Sequence, residues 1–186
     1  QSGETWSALT SASFIVGTPA DTSNLAVSEI HYRPSPPSAS ELANGFNERS
    51  LFEFIELVNT SLDPIELAGL EFSSGIDFDF VDSNFSQLQP GNRLLIVNNA
   101  EAFQARYGSQ LPIAGAFAND TSLSNGGERL TLIDAEGNIV FNLRYRDEAP
   151  WPEEADGDGY SLVFSANFGN SDPDEGINWR ASREIG

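Results

Sequence analysis

Short apolar runs, separated by glycine, proline and small polar residues, set the pattern of this chain. Runs divided in this way are typical of an all-β sandwich or barrel. Alternation supports the interpretation, since Leu130 and Leu132 share one face of their run and predict one buried side. We expect strands at Leu25–Arg33, Phe52–Thr60, Leu70–Ser73, Asp77–Val81, Arg93–Asn98, Glu128–Asp134, Asn138–Tyr145 and Tyr160–Ser165.

One short helix is predicted at Ala100–Tyr107. Either of the two asparagines before it can cap its first turn, and Gly108 follows where a left-handed terminus would lie. Phe103 and Tyr107 are four residues apart, so they share one face of the helix. We expect this helix to close one end or edge of the sandwich.

A strand-like run with one apolar or small face, Thr5–Val16, precedes these elements. It has no hairpin partner close by, since Gly17–Asn24 has the composition of a flexible connector. We hypothesise that the run joins the sheet edge of a neighbouring subunit and links copies head to tail. The alternatives are that it packs on its own domain or closes an upstream one. The residues of its apolar face are Trp6, Ala8, Thr10, Ala12, Phe14 and Val16.

These patterns divide the chain into three parts. Residues 1–24 form an N-terminal strand arm and linker, residues 25–166 the sandwich, and residues 167–186 a C-terminal extension. Within the sandwich, Pro34 opens a long excursion to about Ser50 that we expect to be an exposed loop.

Composition narrows the classes of function. The chain has 186 residues, 28 acidic and 9 basic, giving a net charge of −19, and it contains no cysteine. Disulfide scaffolds, thiolate zinc sites and cysteine nucleophiles are therefore excluded. The negative charge argues against nucleic acid and against anionic membranes, because phosphate groups are repelled. The chain opens at Gln1 without a signal segment, so we expect a processed or excised piece of an extracellular protein.

An ordered series of short motifs resembles the lamin tail domain family. Each motif is weak alone, but together they run in family order from about Leu25 to Leu162. The motifs are Ser28-Glu29-Ile30, Glu53–Asn59, Leu67-Ala68-Gly69-Leu70, Pro90-Gly91, Leu123–Glu128, Asp134–Asn138, Pro150-Trp151-Pro152 and Asp156–Leu162.

The resemblance implies an immunoglobulin-like β-sandwich, without the intersheet disulfide of antibody domains. The chain looks like the bacterial secreted branch, where such domains are accessory modules of large surface or exported proteins. The family brings no catalytic residues with it. Leu70 departs from the family pattern, in which an aromatic residue commonly follows the Leu-x-Gly.

A pair of carboxylates is the first candidate site. Glu29 and Glu56 lie on predicted strands that can be neighbours, and two facing carboxylates would resemble a glycosidase arrangement. The interpretation we favour is that each carboxylate accepts hydrogen bonds within the sandwich.

Acidic loops are the second candidate, because calcium takes six to eight oxygen ligands. Asp156-Gly-Asp158-Gly resembles the start of an EF-hand loop, although Asn167 occupies the twelfth position, where that loop has a glutamate. A bound Ca²⁺ is one interpretation, and a solvated acidic loop is the other. The candidate ligands are Asp77, Asp79, Asp82, Asp156 and Asp158.

Aromatic residues are the third candidate, since a sugar-binding platform needs two or three on one exposed face. Trp151 lies between two prolines, which favours a packed corner over a platform. We expect His31 to be an ordinary surface or edge residue.

These observations favour a non-catalytic extracellular or cell-surface module of a bacterium, a fibre or surface-assembly subunit joined by strand exchange through residues 5–16. Its partners would be proteins, either further copies or neighbouring domains, with no nucleic acid and no membrane insertion. The alternative is a carbohydrate-binding accessory module, stabilised by calcium, of a larger secreted enzyme.

Overall fold

The computed structural model describes residues 17–186, which fold as strands with two short helices. The elements of this range are β1 (Thr18–Pro19), β2 (Leu25–His31), α1 (Ala39–Ala43), β3 (Phe54–Asn59), β4 (Ile65–Glu66), β5 (Glu71–Ser74), β6 (Gln87–Leu88), β7 (Arg93–Val97), α2 (Ala100–Tyr107), β8 (Ile113–Ala116), β9 (Arg129–Ile133), β10 (Ile139–Arg144), β11 (Leu162–Phe164) and β12 (Trp179–Ala181). Short 3-10 turns lie at Arg49–Phe52, Phe80–Asp82, Glu153–Ala155 and Gly176–Asn178.

Two sheets form the layers of the sandwich. The larger sheet has six strands in the order β12-β11-β2-β3-β7-β8, and the smaller has three in the order β10-β9-β5. Neighbours are antiparallel in both sheets, except that β8 runs parallel to β7. A minor sheet, β1-β4-β6, completes the described fold.

The core lies between the two main sheets because each contributes one apolar face. Ile55 and Ile96 project from the larger sheet, and Leu130 and Leu132 from the smaller; all four are fully buried. The predicted alternation in β9 is therefore confirmed. These faces bury one continuous apolar cluster, which is the arrangement of an all-β sandwich.

Helix α2 forms where it was predicted. The Asn99 side chain accepts from the Ala102 amide at 2.9 Å, and Gly108 ends the helix with a φ of 92°. Phe103 lies edge-on to Phe54, with ring centroids 5.5 Å apart. The helix thus covers the outer face of the larger sheet beside its edge strand β8, so it lies at an edge of the sandwich, which is one of the two places expected.

A second helix lies in the segment that we expected to be an exposed loop. Ser38 and Glu41 form a capping box at the start of α1, and this local exchange of hydrogen bonds stabilises one turn. Glu41 also accepts two hydrogen bonds from Arg106 of α2, at 2.8 and 2.9 Å. The Arg106 guanidinium lies 3.4 Å from the centroid of the Phe52 ring, so one side chain connects the two helices to the 3-10 turn that precedes β3.

Two further expectations need correction. The run 77–81 alternates as predicted, with Phe78 and Phe80 buried, but it makes only the single bridge Glu71–Asp79 and then a 3-10 turn. That turn begins where the Asp79 side chain accepts from the Val81 amide at 2.8 Å. Residues 167–186 are not all an appendage, because β12 pairs with β11 and extends the larger sheet.

Strand β8 was missed because Ile-Ala-Gly-Ala has little strand propensity. Its position depends on close packing instead. A side chain at Gly115 would meet the Phe78 ring at 2.6 Å, so a glycine there allows β8 to lie beside β7.

Candidate functional site

Strand β2 is fully paired on one side only. β3 pairs with it from Leu25 to His31, whereas β11 pairs with only Glu29 and Ile30. In the described part of the chain, no strand lies beside residues 25–27 on the side away from β3. Apart from the Leu25 amide, which donates to the Asp21 carbonyl at 3.1 Å, the main-chain groups on that side form a short edge that another extended segment can join.

A groove of about 300 Å³ lies beside this edge, and we call it the slot. It opens where the pairing of β11 with β2 ends, beyond Glu29, and where β10 of the smaller sheet approaches β2. Its lining is mostly apolar, which suits hydrophobic side chains of an inserted segment. The apolar lining residues are Leu25, Val27, Phe141, Leu143, Phe164 and Phe168.

The arm predicted to carry out strand exchange lies outside the described residues, which begin at Gly17. Its contacts are therefore untested, and the exchange stays a prediction. The arm residues concerned are Trp6, Ala8, Thr10, Ala12, Phe14 and Val16.

The two carboxylates expected on neighbouring strands are direct cross-strand partners, Glu29 on β2 and Glu56 on β3. The Ser161 hydroxyl donates to Glu29, while Ser28, at 2.6 Å, and Arg93 donate to Glu56. Each carboxylate thus accepts hydrogen bonds, as the favoured interpretation predicted. Burial raises the pKa of Glu29, the Ser161 hydrogen bond opposes this, and the charge of Glu56 raises it further.

His31 is buried at 1% exposure, so the expectation of an ordinary surface residue is wrong. Its Nδ1 lies 3.2 Å from the Tyr107 hydroxyl, and its Nε2 is buried without a partner among the described residues. Burial lowers the pKa of His31 to about 3, so the ring is neutral at physiological pH.

An open cleft of about 480 Å³ surrounds these groups on the outer face of the larger sheet, and we call it the outer cleft. Glu29 lies on its floor, Tyr107 of α2 forms one wall, and residues 182–186 form another. Three arginines also line it: Arg93, Arg180 and Arg183.

The two tryptophans of the described range do not form a sugar-binding platform. Trp151 is 3% exposed and Trp179 is 4% exposed, and their ring centroids are 5.6 Å apart. Trp151 is therefore the packed corner that the flanking prolines favoured. It lies against the chain just before β12, where a side chain at Gly176 would meet the Trp151 amide nitrogen at 2.7 Å.

The aspartates considered for calcium have separate partners. Asp77 accepts from Asn119, Asp79 caps a 3-10 turn, and Asp156 forms an ion pair with Arg33. Within residues 17–186, no three acidic or histidine side chains are grouped so that they could hold a metal ion. Calcium binding at Asp77, Asp79, Asp82, Asp156 and Asp158 thus stays a sequence-based prediction without a ligand cluster in this range.

One buried polar group escaped the sequence analysis. Glu53, which is 2% exposed, accepts from the Leu123 amide at 2.8 Å. Nearby, Tyr145 donates to the Ser124 carbonyl at 2.7 Å and to Glu128 at 3.0 Å. The Leu123–Glu128 motif carried the available signal, because a polar loop that follows buried strands needs internal hydrogen-bond partners.

Two facing sheets around one apolar core, without a disulfide, define an immunoglobulin-like β-sandwich. Residues 18–147 match the model of the Lamin Tail Domain family, and the chain belongs to that family. Domains of this family are generally non-catalytic. No curated protein matches the chain. No helix among the described residues is long and apolar enough to cross a membrane.

Proposed function

We propose that this domain is a non-catalytic protein-interaction module that accepts an extended apolar segment in the slot. The donor is the run 5–16 of a neighbouring copy, so that copies join into a surface assembly or fibre. The location that fits this role is the outside of a bacterial cell.

The slot is the observation that carries the proposal. Along residues 25–27 no described strand pairs with one edge of β2, and apolar side chains from both sheets lie beside that edge. An added strand would gain main-chain hydrogen bonds from the edge and would bury its apolar side chains in the groove. The groove, of about 300 Å³, has room for large apolar side chains.

The composition of the donor run supports the same assignment. Residues 5–16 contain no charged residue, although the chain carries a net charge of −19. An uncharged segment can approach an acidic neighbour without the repulsion that two acidic surfaces experience. The small and apolar residues on its even positions match a mostly apolar slot.

A role without catalysis is also consistent with the described carboxylates. Glu29 and Glu56 both accept hydrogen bonds from neighbouring side chains, and Glu56 is paired with Arg93. The carbohydrate alternative needs two or three aromatic residues on one exposed face, and Trp151 and Trp179 are buried.

The test compares two double variants of the full chain by light scattering across a concentration series. Phe14→Asp with Val16→Asp places two charges on the apolar face of the run, and we expect it to stay monomeric. Ser11→Asp with Ser13→Asp adds the same charge to the opposite face, and we expect it to assemble like the natural chain. Equal assembly of both variants, or a natural chain that stays monomeric at every concentration, would overturn the proposal.

A further inference from the structure

The outer cleft concentrates positive charge in a strongly acidic chain. Three of the nine arginines line it, whereas the chain as a whole carries 28 acidic residues. Arg93 is paired with Glu56, but within residues 17–186 neither Arg180 nor Arg183 forms a salt bridge. Both are exposed. Arg180 Nη1 donates to the Ala181 carbonyl at 2.8 Å, and the other N–H groups of Arg180, like those of Arg183, can reach a ligand.

The register of the sheet places one of these arginines, Arg180, on the same row as Glu29. Arg180 pairs with Val163, Val163 with Glu29, and Glu29 with Glu56. Side chains of one row point to the same face, and neighbouring strands are about 4.8 Å apart. Arg180 and Glu29 are therefore two strands apart, about 10 Å between their Cα atoms, which leaves room for a ligand between their side chains.

The floor of the cleft offers hydrogen-bonding groups that the sandwich does not need. Glu29 is half-buried and is held by Ser161, so its position is fixed while it retains accepting capacity. The wall contains the fully buried His31, whose Nε2 lacks a partner among the described residues. A buried polar atom of this kind is rare in folded proteins, and a water molecule or a ligand group at the cleft can satisfy it.

We propose that the outer cleft binds a sugar acid, a monosaccharide unit that carries one carboxylate and several hydroxyl groups. The carboxylate is held by Arg180 and Arg183, since guanidinium groups match carboxylates in a two-point geometry. Ligand hydroxyl groups donate to Glu29, and the apolar face of the ring lies toward Tyr107 and Val163. This site is separate from the slot and does not depend on strand exchange.

The charge balance favours a ligand with a single negative charge. Glu29 and Glu184 line the same cleft, and Glu56 lies next to Glu29, so an acidic peptide with several carboxylates would meet three like charges. A net charge of −19 likewise repels nucleic acids and sulfated polymers over distances beyond the cleft. Neutral hydroxyl groups meet no such repulsion and use the same carboxylates as acceptors.

Calorimetric titration of the full chain with glucuronate and galacturonate tests the proposal. We expect millimolar affinity for at least one of them. Glucose and acetate should bind at least about tenfold more weakly, because glucose lacks the carboxylate and acetate lacks the hydroxyl groups. Arg180→Gln and Glu29→Gln should each weaken binding by about tenfold or more. Arg144→Gln, an exposed arginine on the smaller sheet, is the matched control and should bind as the natural chain does.

Circular dichroism confirms that each variant is folded, so a loss of binding can be assigned to the removed group. The proposal is wrong if neither sugar acid binds, if acetate binds as well as the sugar acids, or if Arg180→Gln leaves the affinity unchanged. Tighter binding of a triglutamate peptide than of either sugar acid would also overturn it and would assign the cleft to an acidic protein partner.

Discussion

Replacement of Glu53 by glutamine gives the sharpest prediction about stability. Glu53 is 2% exposed and has the Leu123 amide as its hydrogen-bond donor. Burial raises the pKa of Glu53 to about 8, the Leu123 hydrogen bond opposes this, and the charge of Glu128 adds to it. The side chain is therefore mostly protonated at neutral pH in the folded chain, whereas it is ionised in the unfolded chain.

The sign and size of the effect follow from this difference in bound protons. Because the folded pKa is raised from 4.5 to about 8, the stability that the protonated form provides is lost as the pH rises between these values. Each pH unit corresponds to about 1.4 kcal/mol per proton. Between about pH 5.5 and pH 8, the free energy of unfolding of Glu53→Gln should rise by on the order of 3 kcal/mol relative to that of the natural chain, because only the natural chain loses this stability.

The assay is urea unfolding of both chains at several pH values, with Glu101→Gln as an exposed control. The difference in unfolding free energy between the two chains removes the contributions that both share. One of these comes from His31, whose lowered pKa makes the folded state more stable as the pH rises toward about 6.5, opposite to the effect of Glu53. A stability difference between Glu53→Gln and the natural chain that stays constant over this pH range would refute the reasoning. Glu101→Gln should show such a constant difference.

Three further predictions concern packing and ions. Arg106→Gln should lower the free energy of unfolding in urea by about 3 kcal/mol, because it leaves Glu41 buried without its ion pair. A decrease below about 1 kcal/mol would contradict this. Gly127→Ala should lower the melting temperature strongly, since the φ of Gly127 is 84° and a Cβ there would meet the Tyr145 carbonyl oxygen at 2.5 Å. Gly126→Ala is the control and should be nearly neutral, because a Cβ at Gly126 meets open space. Equal effects of the two substitutions would contradict this. The calcium prediction is tested by melting with Ca²⁺ and with Mg²⁺ at equal ionic strength: binding at Asp156 and Asp158 should raise the melting temperature more with Ca²⁺, and equal shifts would contradict it.

Much of the sandwich could be predicted because its strands follow local rules. Buried alternation located β9, and an asparagine cap with a terminal glycine located α2. The run 77–81 shows the limit of such rules: its two phenylalanines alternate correctly, yet pairing with Leu70 and Phe72 is too short to make a regular strand. Strand pairing depends on distant partners, which a local pattern does not contain.

The candidate sites were predicted less completely, for a related reason. The pairing of Glu29 with Glu56 followed from their motifs on neighbouring strands. The slot depends on where β11 leaves β2, and the outer cleft depends on Arg180 of β12 lying in the same row as Glu29. Both features are set by the C-terminal strands, whose pairing the sequence did not indicate.

Disulfide mapping tests the central claim, that the run 5–16 occupies the slot of another copy, most directly. The chain has no cysteine, so every cross-link comes from the engineered positions. One preparation carries a single cysteine at Ala8, Ala12 or Phe14, and the other carries Ser171→Cys at the slot or Ser73→Cys on β5 as the control.

After mixing and mild oxidation, mass spectrometry measures the yield of the mixed dimer. We predict that at least one arm position cross-links to Ser171→Cys and that none cross-links comparably to Ser73→Cys. Equal yields at the two sites would contradict the account. A second contradicting result comes from a chain that carries both Phe14→Cys and Ser171→Cys. If it forms only an intramolecular disulfide at high dilution, and the single-cysteine preparations form no mixed dimer, the arm lies in its own slot.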